Sequence, residues 1–128
     1  SESTYALVQS KVKTDILYPD PKLNALIHES ARQLGVPLRE GRIHSSDVFY
    51  HEYDETAEYR AHGCLCVEME SFALFHNARA CGKQAACLLT ISDSLVSGEE
   101  TSAAQREQAF VQMMETALES ARRWQEGA

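Results

Sequence analysis

The sequence holds 128 residues, 44% of them hydrophobic and 24% charged, an ordinary globular composition that excludes a disordered tail or a fibrous repeat. With 19 acidic against 12 basic residues the formal charge is -7, which argues against DNA, RNA or an anionic membrane as the main partner, since those need a concentrated basic face. No apolar run approaches the roughly 18 residues of a membrane span, and the opening SESTYALVQS has neither the basic start nor the apolar core of a signal peptide.

In chain order, residues 5–12 count as a weakly marked strand. Asp20-Pro21 is a strong helix start, a capping side chain followed by proline at the first helical position. Leu23, Leu26, Ile27, Ala31 and Leu34 follow at helical spacing, and Gly35 stands where a C-terminal stop belongs. Residues 38–45 read as a strand with weak alternation, 46–54 (SDVFYHEYD) as an aromatic and polar loop, and 55–62 as a short helix. GCLCVEME is a clear strand that runs directly into ESFALFHNARACG, where Phe72, Phe75 and Ala78 form a helical stripe ended by Gly82. The segment AACLLTISD is apolar from 85 to 89 and again at Ile91, as a strand buried on both faces requires. A loop rich in Ser, Gly and Glu leads to a long C-terminal helix. Ser102 and Gln105 have capping-box spacing at its start, and Phe110, Met114, Ala117, Ala121 and Trp124 are its expected buried stripe.

Strands alternating with helices imply an α/β fold with a mostly parallel sheet flanked by helices. Three or four strands, one of them apolar on both faces, are thin for a free-standing domain, so the sheet is expected to continue in another segment. Cys64 and Cys66 in GCLCVEM and Cys87 in AACLLTI lie in apolar strand-like runs, where cysteine behaves as a small buried hydrophobe. His62, Cys64 and Cys66 alternate along one strand, but no second ligand pair of structural-zinc spacing accompanies them, so no metal is expected. Reduced thiols, Cys81 included, and a cytoplasmic location fit this usage.

In open α/β sheets, ligands bind beyond the carboxyl ends of the strands. Two strands here end in acids at that edge, one in Val67-Glu68-Met69-Glu70 and the other in Ser92-Asp93. A carboxylate directly after a largely apolar strand is costly without a partner or a task. Glu70 alone reads equally well as an acid complementing a helix dipole, and Asp93 as the start of an Asx turn. Taken together they point to a carboxylate-lined pocket.

The stretch GCLCVEMESFALFHNARACGKQAACLLTISDSLVSGEETSAAQREQAF resembles the C-terminal part of the bacterial, hexameric type of purine nucleoside phosphorylase, and the upstream HSSDVFY is similar to that family's base-binding segment. The order agrees as well: DVFY, then VEME opening a helix, then an apolar strand ending in SD, then an arginine 13 residues after the aspartate. The resemblance runs from about residue 20 to 119. It implies phosphate-dependent cleavage of the bond between ribose and purine, with no cofactor and with phosphate as co-substrate.

The roles that follow are what the resemblance implies. Asp93 matches the acid that protonates the leaving purine at N7. A free aspartate has a pKa of about 3.9, so burial is expected to raise it. Arg106 matches the arginine that swings onto that aspartate. Glu70 matches the carboxylate that accepts hydrogen bonds from the ribose hydroxyls, a natural pairing of two donors with two oxygens. Met69 packs on the sugar, Val67 lies near the base, Phe49 stacks on the purine with Tyr50 beside it, and Ser92 lies near the imidazole edge. Glu68 falls in the same motif but points the opposite way in an extended strand, so a structural role, paired with a basic group behind the sheet, is the competing reading. His44 and His51 read as surface or satisfied polar residues, and Tyr53, Asp54 and Glu55 as loop and helix cap.

The family holds phosphate with a glycine-containing loop and several arginines in its N-terminal half, and no counterpart stands in this sequence. Arg106 is the one arginine that falls in a family motif. A dianionic nucleophile needs arginine or backbone donors. The chain is therefore expected to be the C-terminal, nucleoside-binding portion, residues 1–128, of a single phosphorylase domain, with Ser1 a break inside a larger fold. Its expected partners are a purine nucleoside, phosphate, an N-terminal half or second chain, and further copies in a homo-oligomer. A related nucleosidase using water, a uridine phosphorylase, and a non-catalytic nucleoside-binding or assembly module are the competing readings.

Overall fold

In chain order the elements are α1 (Tyr5–Ser10), α2 (Pro21–Leu34), β1 (Arg42–Ser45), α3 (Thr56–Ala61), β2 (Cys64–Glu68), α4 (Ser71–Ala80) and α5 (Ala103–Gln125). The computed structural model describes residues 1–127. The elements divide between two compact units, one of residues 1–19 and 40–85, the other of residues 20–39 and those from 86 onward.

In the first unit β1 and β2 form a parallel pair, with His44 opposite Val67 and Ser45 opposite Glu68. The pairing runs one step past β1, where the Ser46 N–H donates to the Glu68 carbonyl at 2.8 Å. The strand expected over 38–45 is thus shorter, beginning at Arg42. Just before it, Gly41 lies so close to Leu65 that any side chain there would collide with it. The α/β reading with a parallel sheet and flanking helices holds. Tyr59 of α3 and Phe72 of α4 supply buried apolar surface, together with Ala6.

Residues 5–12, expected as a strand, are instead the short helix α1, closed at Lys11 in a left-handed turn (φ 58°). A helical turn closes its own hydrogen bonds, whereas a strand must find a neighbouring ladder. Side chains then fix α1 to α4: Tyr5 Oη donates to Asn77 Oδ1 at 3.1 Å, and Ser10 Oγ meets the buried His76 Nε2 at 3.0 Å.

In the second unit α2 and α5 pack together. The start and stop of α2 fall where the sequence places them. Asp20 accepts the Leu23 N–H at 2.8 Å, and Gly35 closes the helix at φ 68°, a conformation glycine adopts without strain. Leu26, Ile27, Ser30 and Ala31 of α2 are buried. Helix α5 opens with the expected capping box, the Ser102 hydroxyl accepting from Gln105 N–H and the Gln105 side chain accepting from Ser102 N–H.

Its buried face is not the expected one. Thr116 and Ser120 are buried, whereas Ala117 and Ala121 are exposed, and Phe110 and Met114 are 40% and 52% exposed. Of the expected stripe, Trp124 alone is partly covered, with Lys22 Nζ 5.3 Å from its ring centroid. The hydroxyls bury without penalty because each bonds back along the helix, Thr116 to the Gln112 carbonyl at 2.8 Å and Ser120 to the Thr116 carbonyl at 2.6 Å.

The third strand expected in AACLLTISD is likewise not formed: residues 83–92 carry no strand, and Asp93 makes only an isolated antiparallel bridge to Glu100. Leu89 and Ile91 are 39% and 57% exposed. An apolar run of this kind becomes a strand only when another strand supplies its ladder.

Candidate functional site

The parallel pairing of β1 and β2 brings their carboxyl ends side by side, so the segments after Ser45 and after Glu68 leave from one sheet edge. Three hydrogen-bonding groups shape the turn from β2 into α4. Glu68 Oε2 accepts the N–H groups of Glu70 and Ser71, each at 2.7 Å, and its Oε1 accepts the Ser71 hydroxyl at 2.5 Å. Ser45 Oγ, at the end of β1, accepts the Phe72 N–H at 3.2 Å. These are the donors a helix start leaves unmatched. Glu68 is therefore committed to the helix start, and the basic partner expected behind the sheet is not what it meets.

With Glu68 occupied, the next two residues face outward. Glu70 is exposed, caps nothing through its side chain, and accepts the Met69 N–H at 3.1 Å. Met69 is exposed and Val67 half-buried. From the neighbouring strand end, the loop that begins at Ser46 carries Phe49 and Tyr50, 70% and 87% exposed, in an edge-to-face pair with centroids 4.8 Å apart and planes at 77°. The first unit thus brings Phe49, Tyr50, Val67, Glu68, Met69 and Glu70 to one sheet edge. An exposed aromatic pair can stack a planar heterocycle, and an exposed carboxylate leaving the adjacent strand can accept hydrogen bonds from hydroxyl groups.

Ser92, Asp93 and Arg106 lie together in the second unit. Ser92 Oγ donates to Asp93 Oδ2 at 3.2 Å, and the Ser92 carbonyl accepts from the Thr101 N–H at 3.1 Å and the Thr101 hydroxyl at 2.7 Å. Arg106 donates to the Thr101 carbonyl at 2.5 Å. The guanidinium thus sits on the backbone of the Asp93 loop and not on the Asp93 carboxylate. Asp93 is exposed, where the sequence reading expects burial.

Glu2 escaped the sequence reading. Glu2 lies 2.8 Å from His44 Nε2 and accepts from Ser46 and Asp47, and His44 stacks on Tyr59 with centroids 4.4 Å apart. His44 is thus a satisfied polar residue, as read from sequence. His51 Nδ1 is buried with no hydrogen bond, its nearest acid being Glu55 at 3.5 Å. Burial, with Glu68 and Cys64 adding to it, pushes the Cys66 thiol up and keeps it protonated. Among the described residues no three His, Cys, Asp or Glu side chains cluster as a metal site would require, and no helix is long and apolar enough to cross a membrane. A shallow depression along α2, lined by Ala25, His28, Arg32, Val36 and Leu38, contains none of the expected site residues.

Comparison with known proteins follows the same motifs. Over 94 residues the chain is 45% identical to the DeoD-type purine nucleoside phosphorylase of Clostridium beijerinckii and 38% identical to that of Anoxybacillus flavithermus. Over 101 residues it is 41% identical to the DeoD-type purine nucleoside phosphorylase of Caldanaerobacter subterraneus. These alignments take in 73%, 73% and 78% of the chain but 40%, 40% and 44% of the relatives. The chain therefore spans less than half the length of the curated relatives it matches. The sequence pattern of the phosphorylase superfamily matches residues 3–123, so both units fall within a single family match, and the chain belongs to that superfamily.

Proposed function

We propose that the chain is the C-terminal, nucleoside-binding portion, residues 1–128, of a single purine nucleoside phosphorylase domain. The observation that carries this reading is the sheet edge of the first unit, where an exposed Phe49-Tyr50 pair and the exposed Glu70 carboxylate leave adjacent parallel strands. The names of the relatives support it. In this reading Phe49 stacks on the purine with Tyr50 beside it, Val67 borders the base, Met69 packs on the sugar, and Glu70 accepts from the ribose hydroxyls. Glu68 serves the site by holding the turn that presents Met69 and Glu70.

The reaction breaks the C1′–N9 bond of the nucleoside and forms a bond from a phosphate oxygen to C1′. The electron pair leaves with the purine, and a proton delivered to N7 neutralises it. Asp93 is the donor, Ser92 lies near the imidazole edge, and Arg106 moves from the Thr101 carbonyl onto Asp93 as the proton leaves. Phosphate is a co-substrate, no cofactor takes part, and the phosphate-holding arginines belong to an N-terminal half or second chain. A homo-oligomer and a cytoplasmic location complete the reading.

The test has two stages. The 128-residue chain alone binds inosine or adenosine without turning it over, and binding falls when Phe49 or Asp93 becomes Ala. Supplied with the N-terminal portion of a relative, it cleaves the nucleoside only when phosphate is present. Turnover in phosphate-free buffer overturns the phosphorylase reading in favour of a nucleosidase. Nucleoside binding with no turnover in the reconstituted protein favours the non-catalytic module.

A further inference from the structure

Glu2 stands 44 residues from the aromatic loop in sequence and directly against its entry in space. Its Oε1 accepts the Ser46 hydroxyl at 2.8 Å and the Asp47 N–H at 2.9 Å, and its Oε2 lies 2.8 Å from His44 Nε2. Ser46 Oγ also accepts the Val48 N–H at 3.2 Å, and its single proton has the Val48 carbonyl, 2.9 Å away, as an alternative acceptor. Three successive loop residues, 46 to 48, are thus tied to one carboxylate directly or through one hydroxyl, and Phe49 follows immediately. Both partners are well anchored: Ser46 is buried, and His44 is held on the buried Tyr59. Burial pushes the Glu2 carboxyl up, but the Ser46 hydroxyl, the N–H groups of Glu2 and Asp47, and His44 outweigh it and hold it below the ordinary value. The group accepting these bonds is therefore a carboxylate at neutral pH, and bonds to an ionised acceptor are the strong ones.

Phe49 and Tyr50 are too exposed for packing to fix them, so the loop entry is what limits where the rings point. An aromatic platform on an unrestrained loop loses affinity to the entropy of ordering it when ligand arrives. We propose that Glu2 is a positioning residue that fixes the entry of the 46–50 loop and, through it, the presentation of Phe49 and Tyr50. Its consequence for ligand binding rests on the nucleoside reading above, whereas its effect on the loop does not.

The experiment follows Asp47 and Val48 amide exchange by NMR in the 128-residue chain, with adenine and hypoxanthine titrated as probes. In Glu2→Ala, exchange at Asp47 and Val48 rises about tenfold or more, the size expected for losing a hydrogen bond to a charged acceptor, while α4 amides keep their protection. Glu2→Gln, which retains an acceptor oxygen, restores part of the protection, and Ser46→Ala releases Val48 more than Asp47. Purine affinity falls in step with loop protection across the three variants. Unchanged exchange at Asp47 in Glu2→Ala overturns the inference, as does a freed loop that binds purine with undiminished affinity. If the wild-type chain binds neither base, the nucleoside reading fails. The exchange arm then decides the loop claim alone: release of Asp47 and Val48 supports it, and intact protection overturns it. Should Glu2→Ala lose the α4 protection as well, Ser46→Ala and Glu2→Gln decide the question in the folded chain.

Discussion

The two units present their candidate groups in different ways. In the first, side chains from three separate stretches of sequence converge on one sheet edge: Glu2 on the loop entry, Ser45 on the Phe72 N–H, Glu68 on the start of α4. In the second, Ser92 is bonded to Asp93 and Thr101, Asp93 bridges Glu100 and Arg106 is bonded to Thr101, all within a loop and the first turn of the helix that follows it. The first arrangement rests on a parallel strand pair, while the second follows an apolar run that has no strand partner among the described residues. A short piece of sheet is enough to hold the exposed aromatic pair and Glu70 at one edge. The segment before Asp93 finds no such ladder among the described residues, so its own loop contacts hold it.

The largest expected effect concerns the platform. Phe49→Ala lowers purine affinity by about 2 kcal/mol, roughly thirtyfold, the scale of base stacking on an aromatic ring. Calorimetric titration measures this. Because Phe49 is 70% exposed, amide protection of the first unit stays within about 0.5 kcal/mol of wild type. Glu68→Ala should come next, costing about 1.5 kcal/mol through the N–H groups of Glu70 and Ser71 it leaves unmatched. Hydrogen exchange localises that loss to the start of α4, and the second unit should not register it. A global loss of protection would erase the distinction between the units.

Ser102→Ala removes the capping box of α5 and should cost about 1 kcal/mol in the second unit, again read by unit-resolved exchange. The smallest effect is electrostatic. Hydrogen bonds from Arg122, then Arg123, lower the Glu119 carboxyl from 4.5 to about 2. A depressed acid stabilises the fold above its ordinary pKa and loses that contribution as pH falls through the folded value. The stability of α5 should therefore be flat with respect to Glu119 above about pH 4.5 and decline between there and about 2. The cluster is exposed, so added salt weakens the slope and Glu119→Gln removes it, both visible in acid titration of α5 helicity.

Much of the local structure was legible before the fold was known, where a signal lies within a few residues. Asp20-Pro21 and Gly35 bound α2, Ser102 and Gln105 cap α5, and VEME turns from strand into helix, because caps and glycine turns act locally. What depends on distant partners was not legible. Periodicity marks the apolar stripe at Phe110, Met114, Ala117 and Ala121, yet cannot show that Thr116 and Ser120 turn to the packed side with their hydroxyls satisfied internally. The apolar content of residues 85–91 reports a wish for burial and not the presence of a strand to pair with. The motifs that carry Phe49, Met69 and Glu70 are visible in the sequence, while the Glu2 contact, 44 residues away, leaves no mark there.

The most direct test of the central claim is an NMR titration of the 128-residue chain with inosine, following backbone amides and the Phe49 and Tyr50 rings. The account predicts shifts concentrated at residues 46–50 and 67–70, with Phe49→Ala weakening the apparent affinity roughly thirtyfold. No shift at millimolar inosine, or shifts confined to the α2 depression around His28 and Arg32, would contradict it.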